Sequence, residues 1–418
     1  MQGQIVSQAA GSAPQPAARL HYLDCLRIIA ILMVFVIHLV HVFDTLTWHI
    51  KNAQQSAALT FFVGFLYPWG MPFFFLIAGA GSWFALQRRS ARQFTRERVL
   101  RLLIPFVAGS LLLMPVMLYF EWRQKVATGA LTSAFAAYAL DRPIPLGPHF
   151  FSWAGNHLWF IGFLFTFSLL ALPLLLWLKR AAGQRFIAWL AQLCERRGGI
   201  LVFILPLTVV QFLFRPFFPE EQDWADFFFF MTFFMIGSIL FADERFARAI
   251  RRDGWLALPL GIVAFIALGA VFAVGQAATW STTPTLPQFY LFWFFTTVDA
   301  WVWPVFMLMV GMKWLNFSNA GLRYAQQAIV PFYVFHQPVI IVLAFFIVQW
   351  AVAVPLKMLM LGLAAFLLTL AIYELLIRRF APLRVAFGVK GRLTSPSAAL
   401  GLSSSTSSPV GATEAFPR

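Results

Sequence analysis

Apolar stretches long enough to cross a lipid bilayer recur along nearly the whole chain, and this constrains the fold more than any other feature. Ten runs stand out: Cys25–Phe43, Ala58–Phe84, Val99–Phe120, His157–Leu178, Ile200–Phe214, Ala225–Phe241, Trp255–Gly275, Phe289–Met312, Ile329–Val348 and Val354–Ile377. A helix needs about 20 apolar residues to cross the hydrocarbon layer. Lipid admits only helices and closed barrels, because no water is present to satisfy an open backbone. The 418 residues are 61% hydrophobic and 11% charged, whereas soluble domains carry about 25% charged residues. The expectation is an all-α polytopic membrane protein with about ten transmembrane helices. Pro68 and Pro72 predict a kink or a re-entrant start in the second run. The fifth run is short and is the weakest of the ten spans.

The formal net charge is +15, and its layout explains it. Arg88, Arg89, Arg92, Arg96 and Arg98 lie between the second and third runs, and Lys179, Arg180, Arg185, Arg196 and Arg197 between the fourth and fifth. Arg245, Arg248, Arg251 and Arg252 follow the sixth run; Arg378, Arg379, Arg384, Lys390 and Arg392 follow the tenth. On the opposite side stand Lys51, Arg123, Lys125, Arg142, Arg215 and Lys357. This asymmetry predicts both termini in the cytoplasm and a multi-pass protein of the cell inner membrane. It is a topology signal, so a nucleic-acid partner is not expected. Residues 1–20 read as a polar N-terminal tail without a signal peptide, 21–385 as one membrane domain, and 386–418 as a Ser/Pro/Gly-rich cytoplasmic tail. Cys25 and Cys194 both fall toward the cytoplasmic side, where a structural disulfide is not expected.

Within this hydrocarbon the ionisable residues carry the functional information. Arg27 and His38 lie eleven positions apart in the first run. At about 100° per residue they leave one helix face, separated by about 16 Å along the axis. Arg27, with Asp24 three residues before it, reads either as an interfacial arginine reaching for lipid phosphates or as a positioned holder of an anion. His38 falls near mid-bilayer, where an imidazole is a natural general base. His41 either continues that face or lies near the outer surface.

Arg98 and Arg101 at the mouth of the third run share a face by their spacing of three, as topology-setting charges or as two forks for a phosphorylated donor. In the ninth run His336 falls at the depth of His38, with Tyr333 one turn earlier and Pro338 opening the helix backbone. A cavity shared by the two histidines is expected, and His336 reads equally as a structural partner. His157 is placed at the outer end of the fourth run, bordering an acceptor entrance, with Trp159 as an interfacial anchor. Asp299 needs a partner that the sequence does not name, and Glu374 can pair with Arg378 at i,i+4. No metal-ligand spacing, phosphate-binding glycine loop or serine elbow is present in the sequence.

Asp24-x-x-Arg27-x10-His38, Pro72-Phe73-Phe74-Phe75-Leu76-Ile77-Ala78-Gly79, Arg98-x-x-Arg101, His157-Leu158-Trp159-Phe160 and Tyr333-Val334-Phe335-His336-Gln337-Pro338 follow one another in order. Together they resemble the membrane acyltransferase-3 family. Thr47-Trp48-His49 and Ile372-Tyr373-Glu374-Leu375 look like a branch that succinylates periplasmic glucans. Ala78 stands where the family motif has serine, so no hydroxyl chemistry is assigned there. The resemblance implies His38 as the essential histidine, with His336 beside it. It implies that Arg27, Arg98 and Arg101 engage acyl-CoA, a donor substrate and not a resident cofactor. Asp24, Tyr333 and Glu374 are supporting residues in this reading. The implied acceptor is a cell-envelope or periplasmic carbohydrate, and the acyl group is acetyl or succinyl. A transporter or flippase for a carbohydrate or lipid-linked intermediate is the alternative that buried histidines and a mid-span aspartate would also serve.

Overall fold

The computed structural model describes residues 20–389; the two tails, including Lys390 and Arg392, lie outside the described residues. Among the described residues there are helices and loops but no strand. The ten main helices are α1 (His21–Val40), α2 (Ala57–Gln87), α3 (Ala91–Ala127), α4 (His149–Leu170), α5 (Gly199–Phe214), α6 (Trp224–Leu240), α7 (Glu244–Ala273), α8 (Pro287–Trp314), α9 (Ala320–Ile347) and α10 (Val354–Ile377). Eight of these are long and apolar enough to cross a bilayer, whereas α5 and α6 are shorter apolar helices. The ten runs thus become ten helices, of which eight meet span length.

Local chemistry explains the two short helices. Pro216 and Pro219 follow α5, and Asp223 opens α6 by accepting a hydrogen bond from Trp224 N at 2.7 Å. At the far end of α6, Asp243 starts α7 in the same way through Arg245 N. Helix α2 runs unbroken through Pro68 and Pro72, so the second run holds no re-entrant break. Helix α3 opens with a reciprocal capping box between Ser90 and Gln93. It then passes through a π-helical turn at Val99–Leu103 before continuing from Ile104.

Helix α1 sits centrally, against α2, α8, α9 and α10, and α9 packs on α1, α3 and α10. Helices α2 and α6 approach most closely at two glycines. A Cβ on Gly79 would overlap the Phe234 carbonyl oxygen, and one on Gly237 would overlap that of Leu76. Ser238 Oγ adds a hydrogen bond to Gly79 O at 3.0 Å. Small residues are what allow two backbones to meet in this way. Around this crossing Phe75 packs against Phe160, Phe167 and Phe230 with ring centroids 4.8 to 5.1 Å apart. The Phe-rich run of α6 is therefore largely a packing surface: Phe227, Phe229 and Phe230 are buried.

Candidate active site

Helix α9 builds the interior site from its own broken backbone. Pro338 has no N–H, so the carbonyl of Val334, four residues earlier, lacks its usual helical donor. That oxygen instead accepts from His157 Nε2 at 3.0 Å. Tyr333 uses both its ends: its hydroxyl donates to the His157 carbonyl, and its own carbonyl accepts from His336 Nδ1 at 2.6 Å. His336 Nε2 then meets His38 Nδ1 at 2.8 Å, with the two rings nearly parallel.

The proton positions follow from what each partner can do. A carbonyl only accepts, so His336 carries its hydrogen on Nδ1 and presents a lone pair at Nε2. His38 must then donate from Nδ1, which leaves its Nε2 bare. Among the described residues Nε2 of His38 has no hydrogen-bond partner, and His38 is only half-buried, while His336 and His157 are buried. His336 thus fixes the tautomer of His38, much as an orienting group does in other histidine-based sites. His157 completes the cluster, its ring 5.4 Å from His336 and 6.4 Å from His38.

The loop between α1 and α2 closes over this centre. Asp44 is wholly buried and accepts from His41 Nδ1 at 2.7 Å, Lys51 Nζ at 2.8 Å and Leu46 N at 3.0 Å. Burial raises the Asp44 carboxyl pKa, but the bonds from His41 and Lys51 outweigh it and hold the group below the ordinary range. Lys51 also donates to the carbonyl of His41, tying the loop to the end of α1. Trp48 is thereby laid beside both His38 and His41, at 6.2 and 6.0 Å between ring centroids. Farther out, His49 meets Glu121 and Asn156, and Asn156 meets Gln337.

The arginines gather at the other end of the same bundle. Arg27 pairs with Asp24 at 3.3 Å and passes over Gly81, where a Cβ would come within 3.0 Å of its Nη2. Arg98 donates to Ser82 Oγ at 3.0 Å and lies over the Phe94 ring at 4.5 Å. Arg27, Arg89 and Arg101 are all within electrostatic reach of Arg98. Arg101 instead pairs with Glu97 at 3.2 Å, and Glu97 also binds Arg89 at 2.8 Å. The π turn therefore departs from the single face that a spacing of three predicts: Arg98 turns toward α2 and Arg101 back along its own helix. The hydroxyl missing at Ala78 reappears one turn later, since Ser82 donates to the Ala78 carbonyl at 2.9 Å while accepting from Arg98.

Other sites differ from the sequence reading. His157 is not at an outer entrance: α4 starts eight residues earlier, at His149, which carries His157 into the core. Trp159 is half-buried and packs against Phe163 and Phe230. Asp299 finds Trp303, whose Nε1 donates to it at 3.0 Å, and no hydrogen bond among the described residues joins it to either end. Glu374 forms the expected pair with Arg378 at 2.9 Å, on a π turn of α10, away from the histidines. His49 and Gln337 stood inside quoted motifs without a role, and Asn156 and Glu121 were not singled out from the sequence. The one signal for Asn156 was its adjacency to His157, and Glu121 had none. No cluster of three or more His, Cys, Asp or Glu suited to a metal ion occurs among the described residues.

Arginines thus gather at one end of a polytopic helical bundle whose interior holds a hydrogen-bonded histidine pair. The chain belongs to the acyltransferase-3 family, whose acyltransferase domain matches residues 20–374, and it is an integral membrane acyltransferase. The family match favours the enzyme over the transporter reading. Glucans biosynthesis protein C of Salmonella paratyphi A is 23% identical over 344 residues, covering 77% of this chain and 83% of the relative. Proteins of the same name from Salmonella agona and Salmonella paratyphi B align with equal identity and coverage. No solved structure matches the chain.

Proposed function

We propose that this enzyme is an inner-membrane O-acyltransferase that moves an acetyl or succinyl group from cytoplasmic acyl-CoA to a hydroxyl of a cell-envelope or periplasmic carbohydrate. The observation that carries the reading is the 2.8 Å bond from His38 to His336, which leaves His38 Nε2 bare and reachable. Arg27, Arg98 and Arg101 suit the phosphates of the donor, since guanidinium groups bind phosphate oxygens through paired, charge-assisted hydrogen bonds. From Arg27 to His38 is about 16 Å along α1, a distance that an extended pantetheine arm covers. The names of the relatives support a glucan-like acceptor, and the basic-residue asymmetry supports arginines facing the cytoplasm.

In the direct route His38 Nε2 takes the proton of the acceptor hydroxyl as its oxygen attacks the thioester carbon. The new C–O bond forms, the C–S bond breaks, and the proton passes from His38 to the departing thiolate. His336 stabilises the transient imidazolium by accepting its Nδ1–H. In the two-step route His38 Nε2 carries the acyl group between donor and acceptor. The test is donor binding and acyl transfer by the purified protein with acetyl-CoA and succinyl-CoA. His38→Ala is expected to bind donor and lose transfer. Absence of donor binding in the wild type, or full transfer by a well-folded His38→Ala protein, would overturn the reading. Mass spectrometry of envelope glycans from a deletion strain then identifies the acyl group and its carrier.

A further inference from the structure

Each hydrogen-bond chain that enters the histidine centre ends on an acceptor. Glu121 takes donors from Lys125 at 2.7 Å, from Tyr138 at 2.7 Å and from His49 Nδ1 at 2.5 Å. His49 Nε2 faces the Asn156 amide nitrogen at 3.0 Å. The Asn156 oxygen then faces Gln337, whose amide nitrogen donates to it at 2.9 Å. Gln337 Oε1 is left pointing the other way, buried and without a partner. By the same logic His157, which gives its Nε2 hydrogen to Val334 O, has a bare Nδ1 that is also buried and unpartnered. His38 Nε2 is the third acceptor.

The orientation of this chain is held under strain. Asn156 has φ of 49°, a left-handed backbone rare for a residue other than glycine, and its side chain is bonded on both sides. Strained backbone persists where its surroundings over-determine it, and such positions cluster at binding and catalytic sites. Buried polar atoms are nearly always hydrogen-bonded in folded proteins, so two buried, unpartnered acceptors, one on His157, whose ring lies 6.4 Å from that of His38, and one on the residue after His336, point to a donor that arrives with a ligand. The chain also runs outward to Glu121 and Tyr138, away from the arginines.

We propose that His157 Nδ1 and Gln337 Oε1 form a hydroxyl-binding subsite for the acyl acceptor, each taking a hydrogen from a polyhydroxylated ligand whose reacting hydroxyl lies against His38 Nε2. The subsite rests on the acyl-transfer reading above and assigns its acceptor side. The shared chemistry is a hydrogen-bond donor, which the amide N–H groups of a pantetheine arm could also supply. Two acceptors in addition to His38 Nε2 match the several hydroxyls of a sugar better than the widely spaced amides of an extended arm. Glu121 is then a positioning residue that acts through His49 and Asn156.

The test compares wild type with Gln337→Met, which keeps the side-chain length and removes the free acceptor together with the donor to Asn156, and with Glu121→Gln, which acts from a distance. Binding of a glucose oligosaccharide is measured by calorimetry, independent of turnover. Binding of acetyl-CoA and succinyl-CoA and the melting temperature are measured beside it. The expected result is a loss of oligosaccharide affinity of fivefold or more in Gln337→Met and a smaller loss in Glu121→Gln. Donor affinity stays at the wild-type value, and both variants remain folded at the assay temperature. Unchanged oligosaccharide affinity in a folded Gln337→Met, or no oligosaccharide binding by the wild type, overturns the subsite. A loss confined to donor affinity also overturns it and gives the two acceptors to the pantetheine amides. Failure of wild-type transfer despite intact oligosaccharide binding counts against the acyl-transfer reading alone.

Discussion

The two ends of α1 solve different physical problems. At the Arg27 end the side chains are cationic and paired by charge: Arg27 with Asp24, and Arg89 and Arg101 with Glu97. Among the described residues Arg98 has a hydroxyl and a ring against it, and its Nε has no hydrogen-bond partner. At the His38 end, orientation is set by neutral hydrogen bonds running through carbonyls, an amide and imidazoles. One end is arranged to attract, the other to direct a lone pair. Excess charge tolerates small shifts, because Coulomb attraction falls slowly with distance. A tautomer does not, because one lost hydrogen bond releases it.

Variants at the two ends should therefore fail differently. The largest effect is expected at His38→Ala, a loss of turnover of about 10³-fold or more with donor affinity retained, as for removal of a general base. Single-turnover assays beside equilibrium donor binding check it; an equal loss of both would erase the contrast between the ends. His336→Phe keeps a ring in the stack but leaves His38 Nδ1 without its acceptor. A fall in kcat of about 10²-fold, with KM for donor near wild type, is expected from losing a group that orients a reactive imidazole.

At the other end, Arg98→Ala should weaken acyl-CoA binding about tenfold, the scale of one charge-assisted hydrogen bond, with kcat at saturation little changed. Raising the salt concentration should shrink the difference between wild type and variant, since screening weakens attraction between separated charges and not the neutral hydrogen-bonded histidine pair. A salt-insensitive Arg98 effect would place that residue with the histidines. The smallest effect belongs to the loop. Because the folded Asp44 carboxyl is held below its ordinary range, its stabilisation is present above the unfolded value and is lost only as pH falls through the folded one. The melting-temperature gap between wild type and Asp44→Asn should therefore be constant from about pH 8 to about pH 5 and close only in stronger acid.

The helices were legible because hydrocarbon length is written directly in composition. The partnership of His38 and His336 was legible for a related reason: two costly groups at one depth in a bilayer need each other or a ligand. His157 was misplaced because Gly155-Asn156, where the backbone turns to a φ of 49°, reads as the boundary of the apolar run and hides the start of α4 before it. The turn between Arg98 and Arg101 was hidden too, since a residue spacing implies an α-helical period and the segment winds more widely there. The chain from Glu121 to Gln337 joins positions scattered over four segments, each ordinary alone. No local pattern reports that they converge.

The meeting of Gly79 and Gly237 has a consequence for selectivity. Gly81 and Ser82, which face Arg27 and Arg98, follow Gly79 on the same helix. Because backbone touches backbone at the crossing, no rotamer change can shift α2 there, and the wall opposite the arginines is rigid. Arg98 and Arg101 stand instead on α3, where the π turn departs from the regular helix. If the arginines hold the donor as proposed, substitutions on α3 would retune donor choice more readily than those on α2.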